Sequence, residues 1–102
     1  KNLHLPKFGI YSAIVNVWTG SKKGSYLAVA SIGARPTYGE REPNLEAYLF
    51  NFSGNLYFED VEVSLVHFQR PEVKFDSSEQ LVEQMKEDCR IAEKTLKKLA
   101  NV

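Results

Sequence analysis

Hydrophobic and polar positions follow two periods along the chain, near 2 up to about residue 68 and near 3.6 beyond residue 76. In Gly9 to Trp18, one alternate set is Tyr11, Ala13, Val15 and Val17, and the other mixes Ser12 and Asn16 with Ile10, Ile14 and Trp18. That pattern predicts a strand with a clean core face and a partly wet one. Thr19 to Ser25 reads as a basic hairpin tip, and Tyr26 to Ile32 as a short returning strand. Gly33 to Gly39 then breaks the pattern, because Gly33 permits unusual backbone angles and Pro36 biases Arg35 toward extended geometry. Gly39 to Asn44 reads as a charged loop. Leu45 to Phe52 is almost wholly apolar, aromatic or small, and predicts a central strand buried on both faces. A turn at Ser53-Gly54-Asn55 leads to its expected partner, Leu56 to Phe68. Gln69 to Asp76 reads as a second loop. Asp76-Ser-Ser-Glu79 offers an N-cap with a reciprocating acid, and apolar residues follow at Leu81, Met85, Cys89, Ala92, Leu96 and Leu99. At 1.5 Å per residue that helix is about 30 Å long, enough to cross a small barrel.

Strands joined by hairpins and then one helix predict a small antiparallel barrel or closed sheet packed by the helix. At 102 residues the chain is one domain with a single core. Its 13 Lys and Arg balance 13 Asp and Glu, so no bulk field recruits nucleic acid or anionic lipid. The single Cys89 excludes an internal disulfide, suggests no zinc site with His4 and His67, and reads as a small buried hydrophobe. No apolar run approaches a membrane span and no secretory signal is visible, which points to a cytoplasmic module.

One residue in the central run is chemically out of place. Alternation puts Glu46 on the face of Tyr48, Phe50 and Phe52, where an ionised carboxylate needs compensation. It is either a structural acid paired with Arg35 or Arg41, or a general base beside an apolar pocket. His67 reads as a structural imidazole. The loops at Arg35-Pro36 and Arg70-Pro71 reach toward one mouth, and together with Glu46 they favour an anionic or nucleotide ligand.

Five motifs in order, Gly9-Ile-Tyr11, Ser31-Ile-Gly-Ala-Arg-Pro-Thr-Tyr38, Leu45-Glu-Ala-Tyr48, Asn55-Leu-Tyr57 and Arg70-Pro-Glu-Val-Lys-Phe-Asp76, resemble the riboflavin kinase family. The resemblance runs from about Leu5 to Leu99 and is nearest to the C-terminal module of bacterial bifunctional riboflavin kinase/FAD synthetases. It implies a closed six-stranded barrel with a C-terminal helix, and ATP-dependent phosphorylation of riboflavin to FMN with Mg²⁺. It makes Glu46 the catalytic acid that accepts the hydroxyl proton. Leu49, Asn51 and Tyr57 fall on the nucleotide side, and Arg70, Phe75 and Gln80 on the flavin side. Arg35 and Pro36 shape the loop between. An FMN adenylyltransferase domain is the expected upstream neighbour. Asn51 and Asn55 stand where bacterial relatives often carry aspartates, and Phe58 replaces a usual glycine. The family's Gly-rich segment ending in Pro-Thr-Ala-Asn, with its Mg²⁺ ligands, has no counterpart before Leu5. The expectation is therefore an N-terminally incomplete kinase domain over 1–102, lacking a strand segment and inactive alone. The competing readings are a non-catalytic flavin- or nucleotide-binding module and a plain interaction domain.

Overall fold

The computed structural model describes residues 6–37, 40–56 and 59–100, those at 35–37, 40–43 and 100 by backbone alone. Four strands form one antiparallel sheet: β1 (Gly9–Val17), β2 (Gly24–Thr37), β3 (Glu40–Leu49) and β4 (Val61–Arg70). A single helix, α1 (Ser78–Ala100), follows. The sheet order is β3-β2-β1-β4, so β1 is central and its alternation sets both faces.

On one face Tyr11, Ala13, Val15 and Val17 meet Ala28, Ala30 and Ile32 from β2, all buried. The clean face read from the sequence is this core. In register Tyr11 faces Ala30, Ala13 faces Ala28 and Val15 faces Tyr26, so the cross-strand pairs of this face fill the core. Tyr11 is held by an edge-on contact with Phe68, ring centroids 5.3 Å apart, and its hydroxyl donates to the Lys7 carbonyl at 2.7 Å. Gly9 must be glycine: a Cβ there would lie 2.5 Å from both the Arg70 carbonyl oxygen and the Phe68 ring. The other face of β1 is wetter and carries α1. Buried Ser12 lies there, and Ala92 and Leu96 are the buried residues of the helix stripe.

Several expectations are corrected. The sheet is open and four-stranded among the described residues, not a closed six-stranded barrel. Residues 61–70 pair with β1 rather than with the strand before them, and described residues between the two strands pack at one end of the core face. There Phe52 packs edge-on against Tyr26 at 5.1 Å, Leu56 lies against the core, and the Trp18 amide donates to the Asp60 carbonyl at 2.8 Å. As a result β3 is an edge strand rather than the doubly buried centre, with Leu45 47% and Tyr48 60% exposed. Finally, β2 runs on through Gly33 to Thr37, paired with residues 40–44, so Arg35 and Pro36 belong to a strand and not to a loop. Local chemistry also moves the helix cap by one residue. Ser77, not Asp76, receives the Gln80 amide on its hydroxyl at 3.2 Å, and the Gln80 side chain returns to the Asp76 amide at 3.1 Å. No helix among the described residues is long and apolar enough to cross a membrane.

Candidate active site

The C-terminal half of α1 is docked on the sheet, but its first turns stand away from it. The wedge between them is a cleft of about 1120 Å³. Its floor is the outer face of β2 and β3, where register sets Val29 opposite Tyr48 and Ser31 opposite Glu46. The facing wall is Leu81, Val82 and Met85 of α1, 41%, 47% and 49% exposed. The loop at 71–77 supplies Glu72, Val73 and Phe75 to the same space. Most of the lining is apolar, with a few polar groups converging on it, as small-molecule sites are usually built.

Glu46 sits exposed on this edge strand, and its carboxylate accepts from the Asn44 side-chain amide at 3.3 Å. It shares the floor with Tyr48, whose ring meets Phe50 edge-on at 5.9 Å. Phe52 does not continue that face. The strand ends at Leu49, and Asn51 turns the chain with φ of 57°, a left-handed angle that asparagine tolerates better than most residues. Asn51 therefore lies on the cleft wall, while Leu49 alternates to the opposite face and packs against the core.

Arg70 lines the cleft at the end of β4, but much of its donor capacity is already committed. Its Nε and Nη2 fork onto the Asp88 carboxylate at 2.8 and 2.6 Å, and Nη1 donates to the Pro71 carbonyl at 3.0 Å. Asp88 is 3% exposed and also accepts from the Gln84 amide at 3.1 Å. Its backbone carbonyl takes the Gln69 amide at 3.3 Å, and Gln69 in turn accepts from the buried Ser12 hydroxyl. This network joins β1, β4 and α1, and every buried side-chain polar atom among the described residues has a partner. Sequence reading missed Asp88. Its one signal is position: it falls on the helix stripe between Met85 and Ala92, where a charge is unexpected.

Phe75 lies between the cleft and a shallower hollow on the outside of the helix start. Gln80 faces only that outer hollow and is engaged in the cap. Tyr57 lies outside the described residues, and so do the side chains of Arg35 and Pro36. His67 is exposed on β4 and takes no part in the cleft. Cys89 is half-buried on the cleft wall, and burial, with the Asp88 and Glu93 carboxylates beside it, pushes its thiol pKa above the usual value. The walls carry both signs of charge, the cations Arg70, Lys86 and Arg90 and the acids Glu46, Glu72, Asp88 and Glu93. Among the described residues no group of three or more His, Cys, Asp or Glu could hold a metal ion.

A protein-family model described as flavokinase, riboflavin kinase, matches residues 1–96. The chain is 37% identical over 87 residues to a bifunctional riboflavin kinase/FMN adenylyltransferase of Haemophilus influenzae, covering 85% of this chain and 27% of that protein. It is 36% identical over 81 residues to a bifunctional riboflavin kinase/FMN phosphatase of Arabidopsis thaliana, covering 78% and 21%. Against the human riboflavin kinase it is 33% identical over 89 residues, covering 86% and 56%. Among solved structures, a Streptococcus pneumoniae chain described as a macrolide-efflux protein superposes with a TM-score of 0.76 at 32% identity, covering 88% of this chain and 28% of that one. The chain thus spans only a part of the proteins it resembles, but the match runs through nearly all of its own length: it belongs to the riboflavin kinase family.

Proposed function

We propose that the cleft phosphorylates riboflavin, transferring the γ-phosphoryl group of ATP to the ribityl 5′-hydroxyl to give FMN and ADP. The observation that carries this reading is the meeting of Glu46 with an apolar, aromatic slot in one open space. A fused, flat ring system suits the gap between Tyr48 and the Val82 and Met85 side chains, with its polar chain directed along the floor toward Glu46. Family membership and the relatives' names support the same substrate pair.

Phosphoryl transfer asks a protein for positioning and for an acceptor of the hydroxyl proton. As the 5′-oxygen bonds to the γ-phosphorus, the bond to the ADP oxygen breaks and the proton passes to the Glu46 carboxylate. An exposed carboxylate with one neighbouring amide donor is free to take it. Asn51, at the end of the same strand, belongs on the nucleotide side in this reading, with Leu49 and Tyr57 assigned there by the family resemblance. Leu49 would act from behind, through the core. Phe75 closes over the flavin from the loop, Arg70 supports that loop, and Gln80 contributes through the helix cap rather than by touching the ligand. Mg²⁺, the companion ion that the resemblance implies, has no donor cluster among the described residues, and no step is assigned to it. An FMN adenylyltransferase domain in the same chain is the proposed neighbour, as in the bifunctional relatives.

The test is Glu46→Gln, which keeps size and polarity but removes the base. FMN formation from riboflavin and Mg-ATP, followed by chromatography, should fall about 10²–10⁴-fold. Riboflavin affinity, read from flavin fluorescence, should stay within about twofold, since the base acts on the transition state. Near-normal turnover in the variant would make the carboxylate structural; binding without any FMN from the parent sequence would make the cleft a flavin binder.

A further inference from the structure

Asp88 is the buried charge that the proposed chemistry does not use. A carboxylate 3% exposed is held there only because it is fully engaged by the Arg70 fork and by Gln84. An apolar residue at this point of the stripe would pack α1 against the sheet as well, since buried ion pairs are often replaceable without loss of stability. The geometry instead ties the ion pair to the loop. Arg70 is the last residue of β4, and the same guanidinium that grips Asp88 also donates to the Pro71 carbonyl, the first of the loop. Two residues on, the Glu72 carboxylate lies against Gly33 of β2, so close that a Cβ at Gly33 would stand 2.9 Å from it. The loop is thus anchored at its root by Asp88 and seated beyond it on a glycine of β2.

We propose that Asp88 is a positioning residue for the flavin site: it fixes the Arg70 guanidinium, and through it the path of the 71–77 loop that presents Glu72 and Phe75 to the cleft. The inference rests on the riboflavin reading of that cleft. It accounts for a charge in the one place on the helix stripe where the docked half of α1 gives way to the open half.

The experiment is a double-mutant cycle on the full chain with Asp88→Asn and Arg70→Lys, each read three ways: riboflavin titration by fluorescence, thermal melting, and amide hydrogen exchange. Asp88→Asn should weaken riboflavin about tenfold or more, and Arg70→Lys comparably, while the double variant loses little beyond either single one. Exchange at the amides of 72–76 should quicken about tenfold in each variant, with β1 unchanged. Additive losses in affinity would mean that Arg70 acts on the ligand independently of Asp88, and would overturn the proposal. So would a lowered melting temperature with affinity and loop exchange unaltered below the transition, which marks a merely structural pair. If the parent protein itself fails to bind riboflavin, the flavin reading falls, and exchange in 72–76 alone decides whether Asp88 holds the loop.

Discussion

The first turns of α1 and its later ones carry the same kind of side chain at the same spacing, yet they meet different fates. Ala92 and Leu96 are 0% and 3% exposed against the sheet, while Leu81, Val82 and Met85 remain 41–49% exposed over a cleft. The sheet beneath explains the difference. Under the later turns lies the β1 face around Ser12, joined to the helix by the Gln69, Arg70 and Asp88 network. Under the first turns lie Ser31, Glu46 and Tyr48, with Phe75 reaching in from the side. Helical periodicity therefore chooses the face of a helix that stays dry, but not what dries it. In one half that is the protein; in the other, by the proposal above, it is the flavin. Leu99 shows the same rule at the far end, 52% exposed in the last turn.

The sharpest way to break this comparison is to truncate one residue from each half. Leu96→Ala should cost about 2–5 kcal/mol of stability, as leucine truncations in packed sites do. At temperatures where the variant is folded, riboflavin titration should be unchanged. Chemical denaturation gives the first number and flavin fluorescence the second; a loss below about 1 kcal/mol would mean that the helix is not docked at this turn.

Met85→Ala is the counterpart in the open half, with the smaller effect on the fold. Half of that side chain is already in water, so stability should change by less than about 1 kcal/mol. Riboflavin affinity should fall several-fold, about 3–10, because the lost contact is with ligand rather than with protein. Equal behaviour of the two variants in both assays would erase the distinction between the halves. Opposite behaviour, affinity lost at Leu96 and stability at Met85, would invert it.

The same distinction explains which parts of the molecule the sequence discloses. The β1 core face, Tyr11 to Val17, was legible because its partners are other side chains of the chain and leave a strict alternation. The stretch around Glu46 was misread as architecture: it is an edge strand, with Glu46 on the cleft floor. Tyr48, Phe50 and their neighbours form an apolar run of the kind that fills a sheet centre, and a cleft built to take a flat apolar ligand has the same composition. Only pairing, β3 at the edge rather than the middle, tells the two apart, and pairing is not written in a local pattern. Strand count fails for a related reason: four segments could be read along the chain, and the six-stranded barrel was inferred from the family. Arg35-Pro36 reads as a loop because proline and glycine usually break strands, yet the backbone there stays extended, which proline's φ allows at an edge-paired position. Asp88 was hidden among the charged residues of α1, and its place on the helix stripe between Met85 and Ala92 is the one trace its burial leaves.

Cys89 sits where the two halves meet, between Met85 and Ala92, and offers the finest probe of the boundary. Its thiol is half-buried on the cleft wall, and desolvation, helped by Asp88 and Glu93, raises its pKa. The folded chain therefore keeps this proton to higher pH than the unfolded chain does. As pH rises past the ordinary thiol value the unfolded form releases its proton first, so the group contributes stability that is complete below that value and is lost as pH climbs through the folded one. The contribution is small, because the thiol is only half-buried. Its chemical consequence is easier to read, since only the thiolate reacts with alkylating agents. At pH 8 iodoacetamide should modify native Cys89 about 3–10-fold more slowly than the same residue in urea. Riboflavin should slow it further, because the flavin would cover the wall on which Cys89 lies. Protection by riboflavin but not by ATP alone would place the flavin as far back as the docked turns. Equal rates with and without riboflavin would confine the flavin to the open half, short of Cys89, and leave the thiol's slow reaction to burial by the protein.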